Sequence, residues 1–284
     1  MAVQVQDRRQ ALLPVLALIS VYVAYCGMDS ISKHLSATVS APTILWARYM
    51  VMLLVMLGWK ARELATLGPL LRNRIVLVRS LCPALSGFFA TLSVGVMPLF
   101  DATALFFTSP LITQVMAVWL LGERMRALQV VMSLVGFAGI LLIARPGSSL
   151  FGPVMLLPLA CAAFFGAFQV FTRQVRHLPS DKLLWCVAIS GGVLSTLSLP
   201  FYGTMPDVSA ALWLLLAGLL FAAGQILLLW GLQRAEAGRL APLGYLQAVF
   251  ALLLGIFLFG EVPDLPSLAG MAVIIVSTFI GQRR

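Results

Sequence analysis

Apolar stretches closed off by charge, Pro or Gly recur along the whole chain, near positions 11–32, 41–58, 75–96, 99–121 and 128–144, then 154–175, 183–201, 212–232, 242–259 and 266–281. About 20 apolar residues in a helix cross a hydrocarbon core of about 30 Å. The pattern therefore predicts an all-α integral membrane protein of ten transmembrane helices embedded in a lipid bilayer. The shorter runs need tilt or a thinner bilayer. Arg8 and Arg9 precede the first run, which is too long for a signal-peptide core and lacks a clear cleavage site, so it is expected to stay as the first helix.

Between the runs the charges fall unevenly. If the amino terminus is inside, fifteen of the 19 Lys and Arg, from Arg8 and Arg9 to Arg283 and Arg284, fall on the inner side. Lys33, Arg48 and Arg145 fall on the outer side, and Arg79 lies within a span. Lys and Arg in short loops favour the cytoplasmic side. Both termini are thus expected in the cytoplasm of a bacterial inner membrane, which requires an even number of spans. The formal charge of +9 is a topology signal on this reading, and no nucleic acid partner is implied.

The two halves echo each other. Gly122-Glu123 closes the fourth run and Gly260-Glu261 the ninth, 138 positions later; Asp29 and Lys33 stand 140 before Gln169 and Arg173; Trp46 stands 139 before Trp185. Five helices per half means that the copies, 1–147 and 148–284, face opposite ways. Inverted repeats of this kind build secondary transporters, with the solute site between the repeats.

Polar residues inside the spans locate candidate chemistry. An ionisable group at a span centre costs roughly 2.5 kcal/mol or more, so each needs a partner or a wet cavity. Asp29 is the one carboxylate placed well within a span. Lys33 follows one turn further out, and Arg48 lies about 10 Å below the outer surface on the second helix. Asp29 can pair with Lys33 or with Arg48, or form an outer gate or a charge that meets the solute. Gln114, Gln169, Gln225 and Gln247 are predicted at similar depth, with Arg79 close to that layer and Tyr245 just below it. Amides donate and accept, which suits a neutral or zwitterionic solute, although Gln also serves as interhelical glue. Tyr25, Phe165 and Phe221 share helical faces with Asp29, Gln169 and Gln225. Pro83 and Pro110 near mid-span each free a backbone carbonyl, with a kink expected there. Glu123 and Glu261 stand at helix ends on opposite faces, as caps or as gates.

Composition agrees with a membrane protein: 61% hydrophobic and 10% charged residues, against about a quarter charged in soluble domains. Cys26, Cys82, Cys161 and Cys186 lie in apolar runs without CxxC spacing or a His partner, so they read as core residues, with no metal and no cofactor expected. His34 and His177 are the only histidines, and neither HExxH nor GxSxG occurs, which argues against an enzyme. Rings of like charge, as in channels, are also missing from the sequence.

Met28-Asp29 with Ser32-Lys33, Trp46-Ala47-Arg48-Tyr49, Arg79-Ser80, Ser109-Pro110-Leu111, Leu121-Gly122-Glu123-Arg124, Ala241-Pro242 with Tyr245, and Gly260-Glu261-x-Pro263-Asp264 with Gly270 occur in an order that resembles the drug/metabolite transporter superfamily, specifically ten-helix proteins with paired EamA domains. The resemblance covers nearly the whole chain. It implies two five-helix bundles around a central cavity and transport of metabolites such as amino acids, vitamins or nucleotide-like compounds. The Asp-x-x-x-Lys and Arg-Tyr pattern is most similar to members that take up S-adenosylmethionine or riboflavin. Pro110 lacks a mate in the second half, where Ala248 stands. The expected function is a secondary transporter of a small organic solute; efflux by the same fold is the alternative, and a structural membrane subunit a more remote one. Import and export, the coupling ion, and monomer or homodimer all stay open at this point.

Overall fold

The computed structural model describes residues 2–122, 127–144, 152–175, 177–234 and 246–281. Helices α1 (Ala2–Leu35), α2 (Ala41–Lys60), the single turn α3 (Gly68–Leu71), α4 (Arg74–Val96), α5 (Leu99–Phe106), α6 (Ser109–Leu121) and α7 (Ala127–Ala144) make up the first half. The second holds α8 (Leu156–Gln174), α9 (Ser180–Tyr202), α10 (Val208–Arg234), α11 (Leu246–Phe259) and α12 (Leu265–Gly281). With α5 and α6 taken together as one broken span, these supply the ten predicted crossings in two repeats. Among the described residues, six helical runs are long and apolar enough to cross a bilayer, and Val130–Ile143, Leu246–Phe259 and Leu265–Ser277 are shorter apolar helices.

Local chemistry sets the helix ends. Asn73 caps α4 by accepting from the backbone N–H groups of Ile75 (3.0 Å) and Val76 (3.4 Å). Gly122 and Gly260 both have φ 66°, and each donates its N–H to the carbonyl four residues back, Val118 and Ile256, at 3.1 Å. Glycine carries no β-carbon penalty in this left-handed region. The repeated Gly-Glu is thus one helix stop used twice.

The fourth span departs from expectation. Pro110 stands not at the middle of a kinked helix but in the first turn of α6, behind a break at Phe107–Thr108. A proline has no N–H for the carbonyl four residues earlier but is well suited to a helix start. Pro83, by contrast, lies inside the continuous α4.

Packing follows the inverted symmetry and interleaves the halves. Helix α1 packs on α10 while its counterpart α8 packs on α4; α2 contacts α10 while α9 contacts α4; α1 meets α11 while α8 meets α5 and α6; and α2 with α9, and α7 with α12, pair across the pseudo-axis. Small residues permit these approaches. A β-carbon at Gly191 of α9 would collide with the Tyr49 ring of α2, and one at Gly139 of α7 would lie 2.8 Å from the Gly270 carbonyl oxygen of α12. The main core gathers Met28, Leu45, Tyr49, Trp185, Ala188 and Phe221 from α1, α2, α9 and α10. Leu54, Trp119, Leu134 and Phe257 face outward, a belt suited to lipid rather than water.

Candidate functional site

Two ionic arrangements lie toward the end of the bundle where α1 ends. Deeper in, Arg48 Nη2 on α2 lies 3.6 Å from Asp29 Oδ1 on α1, with the arginine side chain 2% and the aspartate 17% exposed. Of the two partners open to Asp29, the structure pairs it with Arg48. The same Nη2 donates to Ser32 Oγ, whose own hydroxyl donates to the Met28 carbonyl at 2.7 Å. Arg48 Nε and Tyr25 Oη are buried with no hydrogen-bond partner among the described residues. A buried unsatisfied donor costs about 1–3 kcal/mol, and more when charged, so this is an unusual place for structure alone.

Lys33, one helical turn beyond Asp29, meets Glu261 instead. Its Nζ is 2.6 Å from Glu261 Oε1, donates to the Met97 carbonyl at 2.8 Å and lies 5.4 Å from the centre of the Phe259 ring. Glu261 Oε2 accepts from the Leu99 backbone N–H at 2.9 Å, one of the N–H groups that a helix start leaves without an intrahelical acceptor. A single carboxylate thus ties α1 and the start of α5 in the first half to the end of α11 in the second. The Lys33 and Glu261 side chains are 14% and 22% exposed.

The remaining predicted residues fall into two groups. Tyr25 lies against Gly224, next to Gln225, and Cys26 donates its S–H to the Gln247 carbonyl at 3.2 Å; Tyr25, Gln225 and Gln247 therefore share one level of α1. On α8, Gly166 abuts Thr113, next to Gln114, and Arg79 reaches Thr172, six residues or about 9 Å further along the same helix. Arg79 Nε donates to Thr172 Oγ1 (2.9 Å) and Nη1 to the Leu183 carbonyl (3.3 Å), with its guanidinium 4.7 Å from the Phe168 ring centre. Gln169 stands between Phe168 and Thr172 in sequence, so Gln114, Gln169 and Arg79 belong to the same α4, α6 and α8 side of the bundle. Gln114 Oε1 is buried without a partner among the described residues. Arg79 is removed from the Asp29–Arg48 pair: Leu183, its partner on α9, is eight residues, about 12 Å of helix, from Gly191, which touches Tyr49 beside Arg48.

An aromatic wall runs beside these groups. Phe89 of α4 stacks on Phe164 of α8 with centroids 5.7 Å apart, and Phe165 packs on Phe106 of α5 at 5.2 Å. Gly95 of α4 abuts Ser36 of α1, and the two helices run the same way, which brings Phe88 and Phe89 to the level of Asp29. Glu123 and Tyr245 lie outside the described residues, as does the Pro110 side chain.

Some participants escaped the sequence reading. Asp101 is buried in the first turn of α5, a second carboxylate within the bundle at the end of its span. A first-turn acid is favoured by the helix dipole, a signal available from its place two residues after Leu99. The carbonyl of Met97 and the N–H of Leu99 had no sequence signal, because every residue carries both groups.

The comparisons with known proteins settle the class. The EamA-like transporter family model matches residues 12–145 and again 152–281. The chain belongs to the EamA-like transporter family. It therefore has the two-repeat, multi-pass membrane organisation that the sequence led one to expect. An S-adenosylmethionine uptake transporter of Rickettsia bellii is 28% identical over 189 residues, 66% of this chain and 65% of that protein. One of Rickettsia conorii is 24% identical over 90% of this chain and 87% of the relative. A riboflavin transporter of Rhizobium johnstonii is 28% identical over 67% of this chain and 64% of its own length. The chain thus spans slightly under two thirds of the first and third of these relatives. A solved crystal structure at 20% identity superimposes with a TM-score of 0.59, covering 97% of this chain and 96% of that one, a likeness of fold alone.

Proposed function

We propose that this EamA-like transporter carries a small organic metabolite across a bacterial cytoplasmic membrane by alternating access, with repeats 1–147 and 148–284, both termini in the cytoplasm and the solute bound among Asp29, Arg48 and the glutamine groups. The observation that carries this reading is the Lys33–Glu261 bridge. It joins the two repeats one helical turn outside the Asp29–Arg48 pair. An ionic tie over a polar intramembrane site acts as an outer latch: made, it closes the path from outside; broken, it lets α11 move away from α1. The solute classes named for the relatives, S-adenosylmethionine and riboflavin, are the first to try here, and uptake is the direction both Rickettsia names give.

The test is uptake into proteoliposomes of labelled S-adenosylmethionine, riboflavin and amino acids. Gln169→Ala and Gln225→Ala are each expected to lower transport at unchanged membrane abundance, since on this reading both amides line the solute path. Normal rates in both variants would remove the glutamines from the site, and a panel that yields no flux in either direction would overturn the transport reading.

A further inference from the structure

We infer that the Asp29–Arg48 pair is a clasp for the zwitterionic head of an amino-acid-type solute, Asp29 taking the ammonium and Arg48 the carboxylate. The inference rests on the transport reading above and narrows it to a substrate class.

Geometry distinguishes this pair from a structural bridge. At 3.6 Å the contact is loose, whereas charge-assisted N–H to O bonds close to about 2.7–2.9 Å; the guanidinium spends Nη2 on Ser32. Its Nε–H is buried without an acceptor, so Arg48 has spare donor capacity and a guanidinium never accepts. A carboxylate is the group that fills a two-donor edge of arginine. Asp29 is the more accessible partner and accepts only, so it meets a donor cation. Both charges are already inside the membrane span, where an unpaired charge is costly.

A zwitterion solves this exchange. Its ammonium and carboxylate sit on one carbon, as close together as the charges of the bridge, so both protein charges change partner at once and neither is left bare. A neutral solute offers neither counter-charge, and an ion of one sign satisfies one side while stranding the other. Phe88 and Phe89, level with Asp29, and Phe164 stacked on Phe89 offer a wall for a flat or apolar body attached to that head. Of the two solute types carried by the relatives, S-adenosylmethionine has an amino-acid head and riboflavin has none.

The test measures binding to the purified full chain and uptake in proteoliposomes. The probes are S-adenosylmethionine, its decarboxylated analogue, phenylalanine, phenethylamine, 3-phenylpropionate and riboflavin. Loss of either charged group is expected to weaken binding at least tenfold. Asp29→Asn is expected to abolish the preference for phenylalanine over 3-phenylpropionate while leaving carboxylate-only probes within about threefold. Arg48→Gln is expected to do the mirror image with the amine-only probes. Because a single variant strands a buried charge and can fail to fold, the neutral double variant Asp29→Asn/Arg48→Gln serves as the control, expected to fold and to lose both discriminations. Charge-deleted analogues binding as tightly as their parents overturn the clasp. Uptake of riboflavin with no zwitterion bound overturns it too and leaves the transport reading standing, whereas no uptake of any probe removes both.

Discussion

Glu261→Gln isolates the latch, because the glutamine carbonyl can retain the Leu99 N–H bond while its NH2, which only donates, replaces the charged oxygen that faces Lys33. The pair is close, 2.6 Å, and mostly shielded, with side chains 14% and 22% exposed. Exposed bridges contribute about 0–1 kcal/mol, and breaking a fully buried one costs about 3–5 kcal/mol. A partly shielded pair falls between these limits, at about 1.5 kcal/mol. Since about 1.4 kcal/mol is a factor of ten in a population ratio, the outward-open form should gain roughly tenfold. Cys26 reports this opening, being 2% exposed and held on the face of α1 against the Gln247 carbonyl of α11. With Cys82, Cys161 and Cys186 replaced by Ala, a membrane-impermeant thiol reagent should label Cys26 about ten times faster in Glu261→Gln. Lys33→Gln should match it, and the double variant should add nothing, because both changes remove one shared interaction. Labelling at the parental rate in both single variants, or a double variant equal to the product of the singles, would refute the latch.

Arg79→Ala should lower folded abundance and thermal stability, since it removes the bonds to Thr172 and to the Leu183 carbonyl and the ring contact with Phe168, at a cost of about 2–4 kcal/mol; a normal melting curve with weakened solute binding would assign Arg79 to the solute instead. Gly191→Ala should destabilise by about 1–3 kcal/mol through overpacking against Tyr49, read as reduced yield in mild detergent, and Gly122→Ala, with no neighbouring atom in its way, should lose less, about 1 kcal/mol from its left-handed backbone alone. A reporter fused after Arg284 should read cytoplasmic, and a periplasmic signal would reverse the assigned orientation.

The ten helices were legible because lipid makes hydrophobic length the dominant constraint: every span must hide its own backbone hydrogen bonds, and about 20 apolar residues do so wherever they occur. The observed ends of α2, α4 and α9 lie within three residues of the apolar runs at 41–58, 75–96 and 183–201. The repeat was legible too, since a left-handed stop demands Gly at 122 and again at 260. Pro110 was visible as a perturbation but not as a helix start, because the choice between kink and break depends on what packs around the freed carbonyl.

Which charges would meet was decided by tertiary structure. Asp29 is within reach of both Lys33 and Arg48 along the chain, and only the approach of α2 to α1 selects Arg48 while Glu261, more than two hundred positions away, takes Lys33. Inverted symmetry predicts that helices have counterparts, yet the interleaving of α1 with α10 and α8 with α4 is a property of packed shapes, set by features such as Gly224 of α10, which leaves room for the Tyr25 ring of α1. Local sequence controls hydrophobic length and helix stops because these depend on neighbours in the chain. Ion partners and the solute site depend on neighbours in space, which only the folded bundle supplies.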